Sequence, residues 1–347
     1  MTAWKILPAA KFGEFAGIWD ALNSASLRSP VLEAPFVQAA IDEFADDRVN
    51  LAIGEDHGKV RSMGLLRRLG IGRWSTFQPS QAPLGLWLEE TGCSTPELVL
   101  GLMPELSRGA VILSVLQQDP RLSERVPDTG QWDSVDYIET AAITLPKTFD
   151  EYWSARGKNL RHTVRRQHNK LRKQERAVRL ECVSQPAAMH DAVASYARLE
   201  KSGWKGTEGT AVDVETAQGR FYCKVLESYA ERGRGYVFRY WYGDDLVAVD
   251  LCVSGFGTVV VLKTAYDERE RETSPAALMR HAYFQQFVND SAIERIEFYG
   301  RAMDWHHKWA DELRTMYHLN CYRWPFLANW VRSRRRSRSI GSPQTTD

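Results

Sequence analysis

Hydrophobic positions recur with two periods along this chain, and the switches between them mark its elements. Helical spacing predicts helices over Phe12–Ser24 and Ala34–Phe44. Runs rich in β-branched and aliphatic residues predict strands at Val49–Gly54, Val60–Leu66 and Arg73–Phe77. Thr95–Ser107 reads as a helix that opens at Thr95-Pro96-Glu97, and Ala110–Leu116 as a strand. The polar, turn-rich stretch Pro120–Trp132 reads as a linker. Beyond it come a strand, Val135–Leu145, and a helix that opens with a capping box at Thr148 and Glu151 and runs to about Arg176. Strand Val178–Val183, helices Ala187–Lys201 and Val214–Arg232, and strand Gly235–Tyr242 follow.

Leu246–Ser254 and Thr258–Tyr266 are two further β-rich runs separated by Gly255-Phe256-Gly257, which marks a hairpin. After a charged break, Asp267 to Thr273, a helix starts at Ser274-Pro275, with Ser as N-cap and Pro at the first helical position. A strand (Arg295–Tyr299), a short helix (Asp304–Ala310), a strand (Thr315–Trp324) and a last helical turn (Phe326–Val331) complete the pattern. Helices flanking a mixed sheet make this an α/β (α+β) protein. The Arg- and Ser-rich residues 332–347 read as a disordered basic tail. The expected division is residues 1–135, then residues 136–331, then that tail.

A chain of 347 residues is long enough for two domains, and 44% hydrophobic content supports substantial cores. A net charge of +1 argues against a general polyanion binder. The five cysteines are scattered and make no C-x-x-C, so free thiols in a reducing compartment are expected. The start of the chain lacks the apolar core of a secretory signal, and no apolar run approaches the roughly 20 residues that span a bilayer. A cytoplasmic protein is expected. Neither a metalloprotease H-E-x-x-H, nor a P-loop, nor a dinucleotide-binding G-x-G-x-x-G is present.

The order hairpin, arginine-bearing loop, helix start, helix, strand resembles the GNAT N-acyltransferases. Within them it resembles the branch linked to cellulose biosynthesis, which is related to the Fem-type peptidoglycan transferases. The residues carrying the resemblance are Trp153, Arg161 to Leu171 (RHTVRRQHNKL), Leu199 to Thr210 (LEKSGWKGTEGT), Tyr266-Asp267, Ser274-Pro275 and Glu297 to Trp309 (EFYGRAMDWHHKW). They fall between about residues 136 and 326. The resemblance implies two GNAT-like half-domains, each a mixed sheet flanked by helices, with residues 1–135 a degenerate half and 136–331 the catalytic half. Three departures stand out. The glycine-rich phosphate loop is replaced by SPAAL, Trp305-His306 stands where Tyr-Lys is frequent, and Glu297 stands where Asp is usual.

Several residues are candidates for chemistry. Arg269, Arg271 and Ser274, with the backbone N–H of Ala276, flank the helix start and can take the diphosphate of acyl-CoA; Glu268, Glu270 and Glu272 oppose this. Asp250 lies in an apolar strand, where a carboxylate is costly unless paired or wet. It either faces the cleft as a general base or pairs with an internal cation such as Lys263. Glu297 and His306 are rival bases. His306 and His307 are adjacent and point apart, so they do not share a metal. The stretch Arg156–Arg176 carries nine cations against one acid, Glu175, so either its face is solvated or an anion lies nearby; Arg161 and Arg165 are its test positions. Gly203-Trp204-Lys205-Gly206 reads as a cleft wall or as a glycine C-cap. The resemblance implies a substrate-binding role for Trp204 and Lys205, and Arg161, Arg165 and Lys308 are further substrate-binding candidates.

The resemblance implies acyl transfer from acyl-CoA, a co-substrate and not a resident cofactor, to an amine or hydroxyl of a small metabolite or an exopolysaccharide or other cell-envelope precursor. A Fem-type transferase using aminoacyl-tRNA, or a non-catalytic subunit of a polysaccharide assembly, is the alternative.

Overall fold

The computed structural model describes residues 2–106, 109–202 and 213–340. Two units make up the fold. The first comprises Met1–Leu27, Ala45–Ile138 and Thr315–Asp347. Its strands are β1 (Ala3–Pro8), β2 (Val49–Asp56), β3 (Lys59–Gly70), β4 (Arg73–Thr76), β5 (Trp87–Glu89), β6 (Ile112–Gln118) and, from late in the chain, β13 (Glu312–Tyr322, from Thr315 onward). β2, β3 and β4 form an antiparallel meander, with β1 beside β2. The helix Thr95–Leu102 leads to β6, which runs parallel to β4 and antiparallel to β13.

The second unit comprises Arg28–Phe44 and Glu139–Arg314. Its strands are β7 (Trp132–Thr144, from Glu139 onward), β8 (Val178–Val183), β9 (Gly235–Tyr242), β10 (Asp245–Gly255), β11 (Thr258–Tyr266) and β12 (Arg295–Glu297). The plan repeats. β9, β10 and β11 form an antiparallel meander, the helix Pro275–Asn289 follows, and β12 returns parallel to β11 and antiparallel to β7. Each unit is thus a mixed sheet flanked by helices, although the sequence shows no repeat.

The hairpin between β10 and β11 is closed by Phe256 and Gly257, at φ 53° and 74°, the left-handed geometry that two-residue hairpin turns require. Thr148 and Glu151 form the expected capping box. The helix they open ends at Ala155, however, because Arg156 is extended; a second, basic helix starts at Lys158 and runs to Lys173.

One face of the second sheet is covered by Phe149–Ala155, the basic helix and Pro275–Asn289. Phe238 stacks on Tyr283 at 4.2 Å, and Phe284 meets Trp309 edge-on at 5.5 Å. Met189–Ser202 and Ala217–Ala230 pack against β10 as well, and Phe36 of the Ala34–Phe44 helix meets Phe221 edge-on at 5.2 Å.

Four expectations change. Residues 28–44 fall in the second unit rather than with 1–135, since Phe36, Phe44 and Glu43 pack and pair against the Ala217–Ala230 helix. Thr315–Tyr322 falls in the first, because β13 pairs with β6. β1 and β5 carry too short or too mixed a pattern to read as strands. The last helix extends over Pro325–Ile340, where a disordered tail from residue 332 was expected; Ala328 is fully buried and Arg332 bonds Thr129 O and Gly130 O, which fixes it.

All five cysteines are free, and Cys252 and Cys321 are buried. Among the described residues, no helix is long and apolar enough to cross a membrane.

Phe284 is fully buried against Tyr152, Tyr283 and Trp309. Phe284→Ala is expected to destabilise the protein by about 3–5 kcal/mol in denaturant unfolding. A loss below about 1 kcal/mol would mean this core is not packed as described.

Candidate functional site

Parallel β11 and β12 pair over only three residues, Thr258–Val260 with Arg295–Glu297. β12 then ends: Phe298 N–H donates to Ala141 O of β7 at 3.2 Å, and Tyr299 turns at φ 40°. β11 runs on to Tyr266 with no strand partner on that side among the described residues. The two strands therefore part into a wedge with the peptide edge of β11 along one wall. A sheet edge of this kind presents unpaired N–H and C=O groups.

Five side chains converge at the wedge. Arg280, on the Pro275–Asn289 helix, donates from Nη2 to Thr264 Oγ1 of β11 at 2.9 Å and lies over the Trp305 ring at 3.9 Å. Trp305 stacks on His306 at 3.5 Å, and both meet Phe298 edge-on. Sequence reasoning missed Arg280, Thr264 and Trp305 as site residues. A cation among Leu278, Met279, His281 and Phe284 was the available signal for Arg280.

Asp250 is fully buried. Its Oδ2 accepts from Tyr283 O–H at 2.7 Å and lies 3.4 Å from Arg280 Nε. Lys263 is not its partner. The register sets Asp250 opposite Thr264 and Lys263 opposite Leu251, which sends Lys263 to the other face, over Tyr222. Asp250 is Arg280's counter-ion, buried beneath the wedge.

Glu297 is also buried, and its carboxylate is held by Arg295 Nε at 2.5 Å and Arg314 Nη2 at 2.8 Å. Burial pushes its pKa up, against the pull of both arginines. His306 Nδ1 accepts from Met303 N–H at 2.8 Å, so the neutral ring carries its proton on Nε2 and is a donor there. Burial, with Arg280 nearby, lowers its pKa to about 4. Of the three expected bases, then, two are ion-paired inside the protein and the third presents a donor.

The start of the Pro275–Asn289 helix lies against the basic helix. Gln167 Nε2 donates to Glu272 O at 2.8 Å. Lys170 and Arg176 reach Glu272 and Glu270 at 3.5 and 2.9 Å. The acidic residues of the 268–272 turn are thus the anions beside part of the cationic run, and they are partly neutralised. Arg165, Arg166, Lys170 and Lys173 line an open groove of about 770 Å³, with His162, Asn169 and Glu272. Arg161 is exposed on the same helix and does not line the groove.

Ser274 is left-handed at φ 55° and makes no side-chain cap, contrary to the N-cap expectation; the preceding 3-10 turn ends there and Pro275 starts the helix. Ala276 sits in the first turn, where N–H groups have no intrahelical acceptor. Arg269 folds back onto Asp267 at 2.7 Å and lines a different cavity of about 470 Å³, with Arg198, Arg239 and Trp241. Arg271 and Lys308 are exposed. Trp204 and Lys205 lie outside the described residues. Among the described residues, no group of three or more His, Cys, Asp or Glu could hold a metal ion.

Residues 158–308 match the family described as the acetyltransferase (GNAT) domain. This segment runs from the start of the basic helix through the wedge to Lys308, within the second unit. No curated protein matches the chain. Among solved structures, the C-terminal domain of a protein described as a lysylphosphatidylglycerol synthetase from Agrobacterium fabrum is 13% identical with a TM-score of 0.58; the match covers 93% of this chain and 95% of that one. FemX is 8% identical with a TM-score of 0.58, over 91% and 98% of the two chains. A conserved protein of unknown function from Bacteroides thetaiotaomicron is 11% identical with a TM-score of 0.55, over 93% and 100%. At these identities the likeness is one of fold.

Two outcomes follow from the buried charges. Asp250→Ala leaves Arg280 uncompensated and is expected to cost about 3–5 kcal/mol of stability. Asp250→Asn keeps the Tyr283 contact and is expected to cost less; equal stability of Asp250→Ala and wild type would refute the counter-ion role. His281 and His306 both have pKa lowered from 6.5 to about 4 by burial. The unfolded chain then binds more protons between those values, so stability is full above pH 6.5 and falls as pH drops toward 4. Denaturant midpoints across that range test this, and His281→Gln should flatten the slope.

Proposed function

We propose that the second unit transfers an acyl group from acyl-CoA to an amine or hydroxyl of a small metabolite or cell-envelope saccharide precursor. The observation that carries this is the parting of parallel β11 and β12 beside the start of the Pro275–Asn289 helix. A pantetheine arm carries amides that pair with a free strand edge. A diphosphate is matched by a helix N-terminus with cations close by.

In this reading Ala276 N–H, Lys170, Arg165 and Arg166 hold the diphosphate, in place of a glycine-rich loop and of Arg269. The pantetheine lies along β11 between Val261 and Tyr266. The thioester carbonyl reaches the Arg280–Trp305–His306 cluster, where the N–H groups of β11 and His306 Nε2–H favour the developing oxyanion. The acceptor's lone pair attacks the carbonyl carbon, the C–S bond breaks, and the acceptor's proton ends on the departing thiolate or on water. Catalysis rests on positioning and charge stabilisation, without a protein carboxylate as base.

Lys170→Glu with Arg166→Glu is expected to weaken acetyl-CoA binding about tenfold or more by calorimetry, since each charge-assisted hydrogen bond contributes about 1.5–3 kcal/mol. Arg269→Ala should leave it unchanged. A second reading, an aminoacyl-tRNA donor, is favoured by the groove along the basic helix. Binding of tRNA that the same pair abolishes, without any binding of acetyl-CoA, would replace the first reading.

A further inference from the structure

The first unit carries a surface that acyl transfer does not use. Its β3–β4 hairpin tip, Arg68 to Arg73 (RLGIGR), holds Leu69 at 54% and Ile71 at 96% exposure. Gly72 O, at that tip, accepts from the N–H groups of Val111 and Ile112 at 2.7 and 3.0 Å, and Val111 O accepts from Arg323 N–H at 2.9 Å. The hairpin tip and the exit from β13 are therefore at the same end of the same sheet. At that exit the last helix begins, with Trp324, Phe326 and Trp330 exposed at 43%, 68% and 51%. Trp324 stacks on Phe326 at 5.8 Å, and Phe326 and Trp330 are one helical turn apart.

Five large apolar side chains thus face solvent at one sheet end, on a helix held in place by Ala328 and Arg332. Cations ring them. Arg68 and Arg73 flank the hairpin tip. Arg323 lies over the Trp324 ring and Arg334 over the Trp330 ring, at 5.5 and 4.1 Å. Arg332 stands on the same helix, and neither 68–73 nor 323–334 contains an acidic residue.

We propose that this end of the first unit docks on an anionic phospholipid bilayer, with Ile71, Phe326 and the two tryptophans in the interfacial layer and the arginines at headgroup phosphates. The mixture of residues selects this occupant. Arginines alone would suit any polyanion, but a fully exposed isoleucine gains nothing from a phosphate backbone, whereas it is buried at the acyl boundary. Tryptophan suits that boundary because its ring is apolar and its N–H polar. The inference stands independently of the acyl-transfer reading.

Co-sedimentation of the whole chain with phosphatidylcholine vesicles, and with vesicles containing phosphatidylglycerol as well, tests it. Binding to the anionic vesicles is expected to exceed binding to the neutral ones by about tenfold or more and to fall at high salt. The triple variant Ile71→Ser, Phe326→Ser, Trp330→Ser should lose about tenfold in vesicle affinity at unchanged melting temperature, because all three side chains are exposed. Arg323→Ala with Arg334→Ala should lose the preference for anionic lipid. No vesicle binding, equal binding to both vesicle types, or undiminished binding by the triple variant would overturn the proposal. So would salt-sensitive binding to bulk tRNA that exceeds binding to the anionic vesicles, or self-association that the triple variant abolishes without vesicle binding.

Discussion

A single buried cation organises the second unit. Arg280 is almost fully enclosed, yet it reaches Asp250 on β10, Thr264 on β11 and the face of Trp305 beyond β12. A guanidinium out of water is tolerable only when its charge is met, and here the carboxylate, the hydroxyl and the aromatic face come from different elements, with Nε close to Asp250 as an ion pair and not as a hydrogen-bond donor. The ladder that would normally hold β11 to β12 is missing past Val260. Arg280 fixes the separated walls from behind through side chains, leaving the strand edge itself open. The opening in the sheet and the burial of charge are thus two sides of one arrangement.

The rest of the site's electrostatics follows the same logic. Carboxylates that read as free acids or bases are committed: Asp250 to Arg280 and Tyr283, Glu297 to Arg295 and Arg314, Glu270 to Arg176. What stays unspent is positive, along the groove of the basic helix, and backbone N–H, at the helix start and on β11. A site whose buried carboxylates are ion-paired and whose groove is lined mainly by cations is suited to holding an anionic donor and stabilising negative charge.

Much of the fold was legible because it is local. The hairpin at Gly255–Gly257, the capping box at Thr148 and Glu151 and the helix after Pro275 each follow from a few adjacent residues. What pairs residues distant in sequence was not legible. Nothing near Thr315 says that β13 pairs with β6, and nothing near Phe36 says that it packs on Phe221. The site shows the same division. The chain marked Asp250, Glu297 and His306 as polar groups in apolar surroundings, which they are. Their roles depend on partners the local pattern does not name: Arg280 and Tyr283, 30 and 33 residues on, for Asp250, Arg295 and Arg314 for Glu297, and the Met303 N–H for His306. Arg269 looked like a phosphate ligand until the turn folded it onto Asp267, two residues back.

The most direct measurement is amide hydrogen exchange on the whole chain with and without acetyl-CoA. Protection should appear in Val261–Tyr266 on the open edge of β11 and in Ala276–Leu278 at the helix start, with β1–β5 unchanged. Protection confined to other segments, with these two left exchanging as in the free protein, would show that acyl-CoA does not occupy the wedge.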